Sequence, residues 1–291
     1  MPEINAGFIY TYESRTEMLL QQMDSRFEQY VLVPETAKGK KKMVVEQYGQ
    51  VEAQEVTERH QQVSFTDPSH QARWVTPRDF YVASGVDEQD VERRLTDPQA
   101  NYAKSQAAGI KRKQDDLIIT AFFANAMTGE DGNTSVSFST DGGTSVSVGT
   151  TGMSIDKMRQ GKTNLRAAEA LENGDMVVMA IAAQQHDDLM SQTQLINLDY
   201  SSRPRLENDE IVSFLGTRVI DSQRLALNGS GHQRIPMWCK SGMALQKWKG
   251  VRARVQDRAD LVDTVQIKTI ATFDATRLQG GKVVEIVCDI P

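Results

Sequence analysis

Cysteine is scarce in this sequence. Cys239 and Cys288 are its only two cysteines in 291 residues, far apart and at no metal-ligand spacing, which favours synthesis in a reducing cytoplasm. Long apolar runs are missing as well. The longest, Met176 to Ala183, spans eight residues, where a membrane-crossing helix needs about 18 or more. Met1 to Phe8 has no basic stretch leading into an apolar one, so the start does not read as a secretory signal. A basic excess is absent too. The net charge is −6, whereas a dedicated nucleic-acid reader normally carries a positive balance. A protein that only encloses nucleic acid is not excluded by this, because a wall around packaged DNA has no need to bind it tightly.

Chemical signatures are equally sparse. The four histidines, His60, His70, His186 and His232, pair with no other His, Cys or acid at metal spacing. No nucleophile elbow and no cysteine in a nucleophile context is present. Gly161-Lys162-Thr163 resembles the end of a phosphate-binding loop. That loop needs a glycine five residues before Gly161 so that backbone amides can wrap phosphate, and Asp156 stands there instead. Three tryptophans, Trp74, Trp238 and Trp248, read as packing residues rather than a ligand platform. No catalytic, cofactor-binding or metal-binding residue is assigned, and a structural protein rather than an enzyme is expected.

What is present is the balance of a globular protein, 39% apolar and 25% charged. Ser14 and Glu17 form a capping-box pair ahead of Met18, Leu19, Met23 and Phe27 at helical spacing. This arm has too few apolar residues to build a core and must lie on something else. A basic knot follows at Lys38 to Lys42. From Met43 to Asp67, Val44, Tyr48, Val51, Val56, Val63 and Phe65 sit in a polar background. A strand pair of that kind is not stable alone in water and needs a partner. Trp74 to Ala83 reads as one strand region. Asp97 and Pro98 then open the longest helix, expected over 98–127. Val136 to Val148, turning at Asp141-Gly142-Gly143, reads as a hairpin. Ser154 caps a second helix that Asn173-Gly174 closes. Met176 to Ala183 reads as a buried strand, His186 to Ser191 as the start of a short helix, and Ile211 to Ile220 as a strand pair broken at Gly216. The chain ends mostly in strands at Val251–Val255, Val265–Phe273 and Val283–Val287.

The order of arm, extended hairpin, long helix, compact α/β region and returning strands resembles the major capsid proteins of tailed bacteriophages, the Hong Kong 97 fold. The stretch from Met176-Val177-Val178-Met179 through Gln184 to Leu189, then Asp199-Tyr200 and Glu210 to Ser222, is similar to the axial-domain segment of that family. Ala271 to Arg277 before Val283-Val284 is similar to its last strands. The resemblance implies an α+β capsid fold in four parts. Residues 1–42 would be an N-arm and 43–75 an extended loop. Residues 76–132 with 251–291 would form a peripheral domain around the spine helix, and 133–250 an axial domain. It implies a head protein that assembles with itself as pentamers and hexamers around double-stranded DNA, in the virion, after assembly in the host cytoplasm. Partners would be a separate scaffolding protein, a portal and a decoration protein. The lysine–asparagine cross-link of some members has no matching residues here. The loop's apolar side chains have no core of their own, so Tyr48, Val51, Val63, Phe65 and Trp74 are the expected inter-subunit contacts. The competing readings are an encapsulin-type compartment shell of the same fold, another virion part such as a tail-tube or decoration protein, and a soluble enzyme with an unmarked site.

Overall fold

The computed structural model describes residues 21–59, 61–86, 99–149, 151–171, 174–192, 213–258, 260 and 264–290. The expected arm helix after Ser14 and the cap at Asp97 and Pro98 lie outside them. Thirteen strands and three α-helices are described. In chain order they are β1 (Lys42–Tyr48), β2 (His70–Val75), β3 (Arg78–Val86), α1 (Gln99–Phe123), β4 (Ala126–Thr128), β5 (Thr134–Val136), β6 (Thr144–Val146), α2 (Ile155–Ala167), β7 (Val177–Ile181), α3 (Ala183–Met190), β8 (Ser213–Phe214), β9 (Thr217–Asp221), β10 (Gln233–Cys239), β11 (Met243–Arg258), β12 (Thr264–Arg277) and β13 (Val283–Cys288). They form three sheets, ordered β1-β2-β4-β5, β6-β13-β10-β7-β9-β8 and β11-β12-β3. The chain clusters into two compact units. One comprises Met1–Asp24, Phe80–Arg112 and Val251–Ala271, and the other Ser25–Asp79, Lys113–Gly250 and Thr272–Pro291. The stretch 251–291 is thus divided between them, and β13 pairs antiparallel with β10.

The core of the larger unit is the six-stranded sheet. Every residue of β7 is buried, which is why Val177 to Ile181 reads as a continuous apolar run rather than an alternating one. Helix α2 starts where Ser154 Oγ accepts from Lys157 N at 3.3 Å and places Met158 and Leu165 in the core. Its Gly161 lies against the sheet. A methyl group there would sit 3.2 Å from both Ile286 Cδ1 and Met237 Sδ. The glycine serves close helix–sheet approach, and no phosphate loop forms. Leu215 and Gly216, at φ 51° and 68°, make the two-residue turn that joins β8 to β9.

The smaller unit is simpler. The β12 side chains Ile267, Thr269 and Ala271 are buried beneath α1. There the Gln106 amide donates to Ile267 O and Ser84 Oγ, each at 3.0 Å, and accepts from Thr269 Oγ1 at 2.9 Å.

Four expectations need correction. The long helix ends at Phe123 rather than Met127, because the Arg277 guanidinium takes the Phe122 and Ala124 carbonyls at 2.8 and 2.9 Å. Ala126 to Thr128 pair instead with β2 and β5. Trp74 to Ala83 is not one strand region. Pro77 follows β2, and β3 starts in a different sheet. The two sides of Asp141-Gly142-Gly143 do not pair with each other. β5 joins β4 antiparallel and β6 joins β13 parallel, since three-residue strands are held by their neighbours and not by the turn. Helix α2 stops at Ala167, six residues before Asn173. There Glu169 takes a left-handed φ of 56°, and Glu169 N and Ala170 N bond back to Arg166 O and Leu165 O, each at 3.0 Å.

Phe27 and Val31 of the arm are buried within their own chain. Buried Asp115 accepts from Arg26 N at 3.0 Å and from Phe27 N at 3.3 Å. The Phe27 ring meets Trp238 edge-on at 5.8 Å, and the Trp238 indole N–H donates to Tyr30 O at 3.0 Å. Leu32 then exchanges backbone hydrogen bonds with Met243 and Leu245.

Two polar arrangements decide how this unit responds to substitution. Arg73, Asp141 and Arg277 are buried together. Removing the carboxylate leaves two guanidiniums facing each other, so Asp141→Ala is expected to cost about 3–5 kcal/mol in urea unfolding. Asp156→Ala, which breaks the exposed 2.9 Å pair with Arg159, is expected to cost under about 0.5 kcal/mol. Burial also pushes the Cys239 thiol up to about 11 and the Cys288 thiol up to about 12. Both therefore stay protonated at pH 8. A disulfide reagent is expected to titrate neither in the folded protein and both once urea has unfolded it.

Candidate assembly surface

Strands β1 and β2 form the stem of the extended loop. They pair from Lys42 opposite Val75 to Tyr48 opposite His70, with a register shift between Met43 and Val45. The far end of the stem closes tightly. Gly49 N donates to Ser69 O at 2.7 Å, and a methyl group on Gly49 would lie 2.1 Å from Ser69 Oγ, so a larger residue there would force the Ser69 hydroxyl to turn away. Tyr48 and His70 stack edge-to-face at 4.6 Å, and His70 Nδ1 lies 3.4 Å from Glu46 Oε1. The Glu46 carboxylate beside Tyr48 raises the phenol above its ordinary value, by charge first and by hydrogen bonding second. The stem is tied to the body along its length by Gln47 Nε2, which donates to Leu278 O at 2.7 Å, and by Arg73 Nε, which donates to the same carbonyl at 2.7 Å.

Beyond the stem, residues 49–59 and 61–69 form no regular strand. The two sides of the loop are joined by side chains. Ser64 Oγ donates to Gln54 Oε1 at 2.7 Å, Gln54 Nε2 to Thr66 Oγ1 at 3.3 Å, and Thr57 N to Gln61 Oε1 at 2.8 Å. The polar background seen in the sequence thus has a job: glutamines replace the missing ladder. The apolar side chains have no such partner. Phe65 is 94% and Val63 77% exposed, and Tyr48, Val51 and Val56 are exposed too. Burying one such side chain is worth about 1.5–3 kcal/mol, so several on one loop leave a large driving force unused in the isolated chain.

Four of the five expected contact residues, Tyr48, Val51, Val63 and Phe65, therefore lie along one exposed projection. Trp74 stands apart. It is only partly exposed, its indole N–H donates to Gly129 O at 2.7 Å, and it packs so closely on Gly132 that a methyl group there would come within 2.4 Å of its ring. It braces the stem from within its own subunit. Val56, exposed on the same projection, was part of the sequence pattern but not of the expected contact set. Its apolar character in a polar loop was the available signal.

The basic knot is partly spent on the chain's own turns. Lys41 Nζ donates to Asn133 Oδ1 at 2.9 Å and Lys42 Nζ to Glu35 O at 2.8 Å. Among the described residues no group of three or more His, Cys, Asp or Glu converges to hold a metal ion. No described helix is long and apolar enough to cross a membrane.

The structure is similar to the capsid of Helicobacter pylori bacteriophage KHP30, with a TM-score of 0.74 at 10% identity over 98% of this chain and 96% of that one. It is similar to the capsid of cyanophage P-SCSP1u, with a TM-score of 0.72 at 13% identity over 98% and 94%. It is also similar to a chain of Mycobacterium phage Che8, with a TM-score of 0.68 at 16% identity over 97% and 98%. No curated protein matches the sequence. The sequence model of the family described as phage capsid protein matches residues 4–290, and with the Hong Kong 97-like fold that these likenesses show, the chain belongs to that family and is a phage capsid protein.

Proposed function

We propose that this chain is the head-building subunit of a tailed double-stranded-DNA bacteriophage, and that copies of it assemble as pentamers and hexamers into an icosahedral shell around the genome. The observation that carries the reading is the extended loop. It has an anchored stem, an internal hydrogen-bond network and a row of exposed apolar side chains. A monomer gains nothing from such a projection, whereas a subunit in a closed shell buries it on a neighbour. Tyr48, Val51, Val63 and Phe65 would make that contact, and Trp74 would support it from the stem.

The four-part division, with an N-arm at 1–42, an extended loop at 43–75, a peripheral domain of 76–132 and 251–291, and an axial domain at 133–250, belongs to the same proposal. So do a scaffolding protein, a portal and a decoration protein as partners, assembly in the host cytoplasm, a purely structural role without catalysis, and enclosure of DNA without sequence-specific binding. The acidic balance of the chain, net −6, supports a wall that lets its contents slide and leave.

Electron microscopy of the protein expressed with its neighbouring scaffold candidate tests the reading. Uniform closed shells tens of nanometres across are expected, with nucleic acid rather than a cargo enzyme inside infectious particles. Phe65→Asp is expected to leave folded, soluble subunits with an unchanged circular dichroism spectrum and no shells. Normal shells from that variant would remove the loop from the interface.

A further inference from the structure

The larger unit contains a recess with a carboxylate in its wall. It has a volume of about 210 Å³ and lies where residues of β2, β4 and β12 meet the last turns of α1. All of its lining residues belong to that one unit. Its apolar wall is made by Trp74, Leu117, Ala121, Ala124 and Met127. Ala124 and Met127 are exposed, Trp74 and Ala121 are half-buried and Leu117 is buried, so the recess runs inward from the surface. At the volume that water occupies in the liquid it has room for about seven molecules, which suits one short side chain or a small organic molecule.

Asp274 is the only acid in the lining and Arg78 the only base. Asp274 is 8% exposed. Burial raises its carboxyl above the ordinary carboxylate value, and the Arg78 charge and the Ala275 backbone N–H offset this only in part. Arg78 is a poor partner. Its side chain is 59% exposed, and its Nε stands 3.4 Å from Asp274 Oδ2, longer than a charge-assisted hydrogen bond. A purely structural ion pair would close the guanidinium over the carboxylate, as two guanidiniums do for Asp141. At Asp274 a buried charge is left beside open volume.

The chemistry of the wall selects the occupant. An anion is repelled. A divalent metal ion needs several oxygen ligands, whereas one carboxylate is present, and no group of three or more His, Cys, Asp or Glu converges among the described residues. A neutral apolar molecule would leave the carboxylate desolvated and poorly paired. An ammonium group on a short aliphatic stem meets each requirement. Its charge pairs with Asp274, and its methylenes cover Leu117, Ala121 and Ala124. Trp74 supplies an aromatic wall of the kind that favours cations. Thr76, Thr120 and Asn125, also in the lining, offer oxygen acceptors for the remaining N–H groups. The C-terminal end of α1 adds negative partial charge at the same place.

We propose that this recess is a binding site for a short aliphatic amine, with Asp274 as its anionic partner. The site is complete within one chain, so it stands or falls apart from the proposed shell. Two sources share the chemistry. One is a free diamine, which can join the counterions of enclosed DNA, and the other is a lysine side chain of a second copy.

Equilibrium dialysis of the full-length protein against putrescine, a four-carbon diamine, tests the site at neutral pH and fixed ionic strength. One saturable site per chain is expected. Butylamine is expected to compete and butanol is not, because the charge is required. Asp274→Asn is expected to weaken binding at least ~tenfold. Ala121→Leu, which fills the recess from the helix, is expected to do the same, with both variants keeping the parent's circular dichroism spectrum. Asp156→Asn, an exposed acid elsewhere on the unit, is expected to leave binding unchanged. Affinity is expected to fall on acidification, as Asp274 takes up a proton while the amine stays charged. Carbodiimide then distinguishes the sources, because activated Asp274 forms an amide with the amine that occupies the recess. Mass spectrometry that finds putrescine on Asp274 marks a free diamine, and a lysine of a second copy there marks a side chain; either supports the site. Butanol binding as well as butylamine, full affinity in Asp274→Asn, or an affinity that does not change on acidification overturns the proposal. So does the absence of both putrescine binding and an amide at Asp274. Failure of the parent chain to form shells would count against the proposed function and leave this test intact.

Discussion

The buried Arg73–Asp141–Arg277 cluster is the constraint that sets several element boundaries of the larger unit. One carboxylate serves two guanidiniums, and all three side chains are at most 5% exposed. Two positive charges against one negative is an expensive arrangement in a low-dielectric interior. Backbone carbonyls meet part of the excess, while Arg73 Nη1 is buried without a hydrogen-bond partner. Arg73 Nε donates to Leu278 O at 2.7 Å, and Arg277 donates to Phe122 O and Ala124 O. Each of these bonds fixes a boundary. Arg277 ends α1. Asp141 holds the turn from which β5 and β6 leave for different sheets. Arg73 ties the stem of the extended loop to the segment that follows β12. The close seat of Gly280 on the Asp141 carbonyl, where a methyl group would come within 2.1 Å, shows how little room the cluster leaves.

The same cluster explains where sequence reading succeeds and where it stops. Elements defined by local periodicity were legible. The apolar run of β7, the Ser154 cap of α2, the body of α1 and the last three strand regions all follow from spacing and propensity. The Leu215–Gly216 turn was visible through its glycine. What was not legible depended on residues distant in sequence. Nothing near Asn125 says that a guanidinium more than 150 positions later will take the carbonyls that α1 would need to continue. Nothing between Val136 and Val148 says that its two halves pair with Ala126 to Thr128 and with Val284 to Ile286. Those are tertiary decisions, and local propensity gives way to them.

The assembly surface divides in the same way. Valines and a phenylalanine in a polar stretch are a local anomaly, so the exposed loop could be read from the sequence. Trp74 was grouped with them because it is aromatic and adjacent. Its hydrogen bond to Gly129 O and its seat on Gly132 could not be foreseen from spacing. Phe27 and Val31 went the other way. The arm seemed to need a neighbour, yet Trp238, Asp115 and the β11 backbone bury both residues within the chain. A short polar segment has no means of announcing which surface, its own or another copy's, will cover it.

The division of labour that results is a physical one. Interactions in the core of the larger unit are buried, closely packed and costly to alter: the charge cluster, the two protonated thiols and the sheet under Gly161. The extended loop is held instead by exposed hydrogen bonds between glutamine, serine and threonine, each worth about 0.5–1.5 kcal/mol at most and in competition with water. A projection built in this way can keep its general path while adjusting its side chains, which gives the loop freedom over a rigid base. The tight Gly49–Ser69 closure and the Gln47 anchor mark the border between the two regimes, because they fix where the loop leaves the body and leave its outer half to the surface it meets.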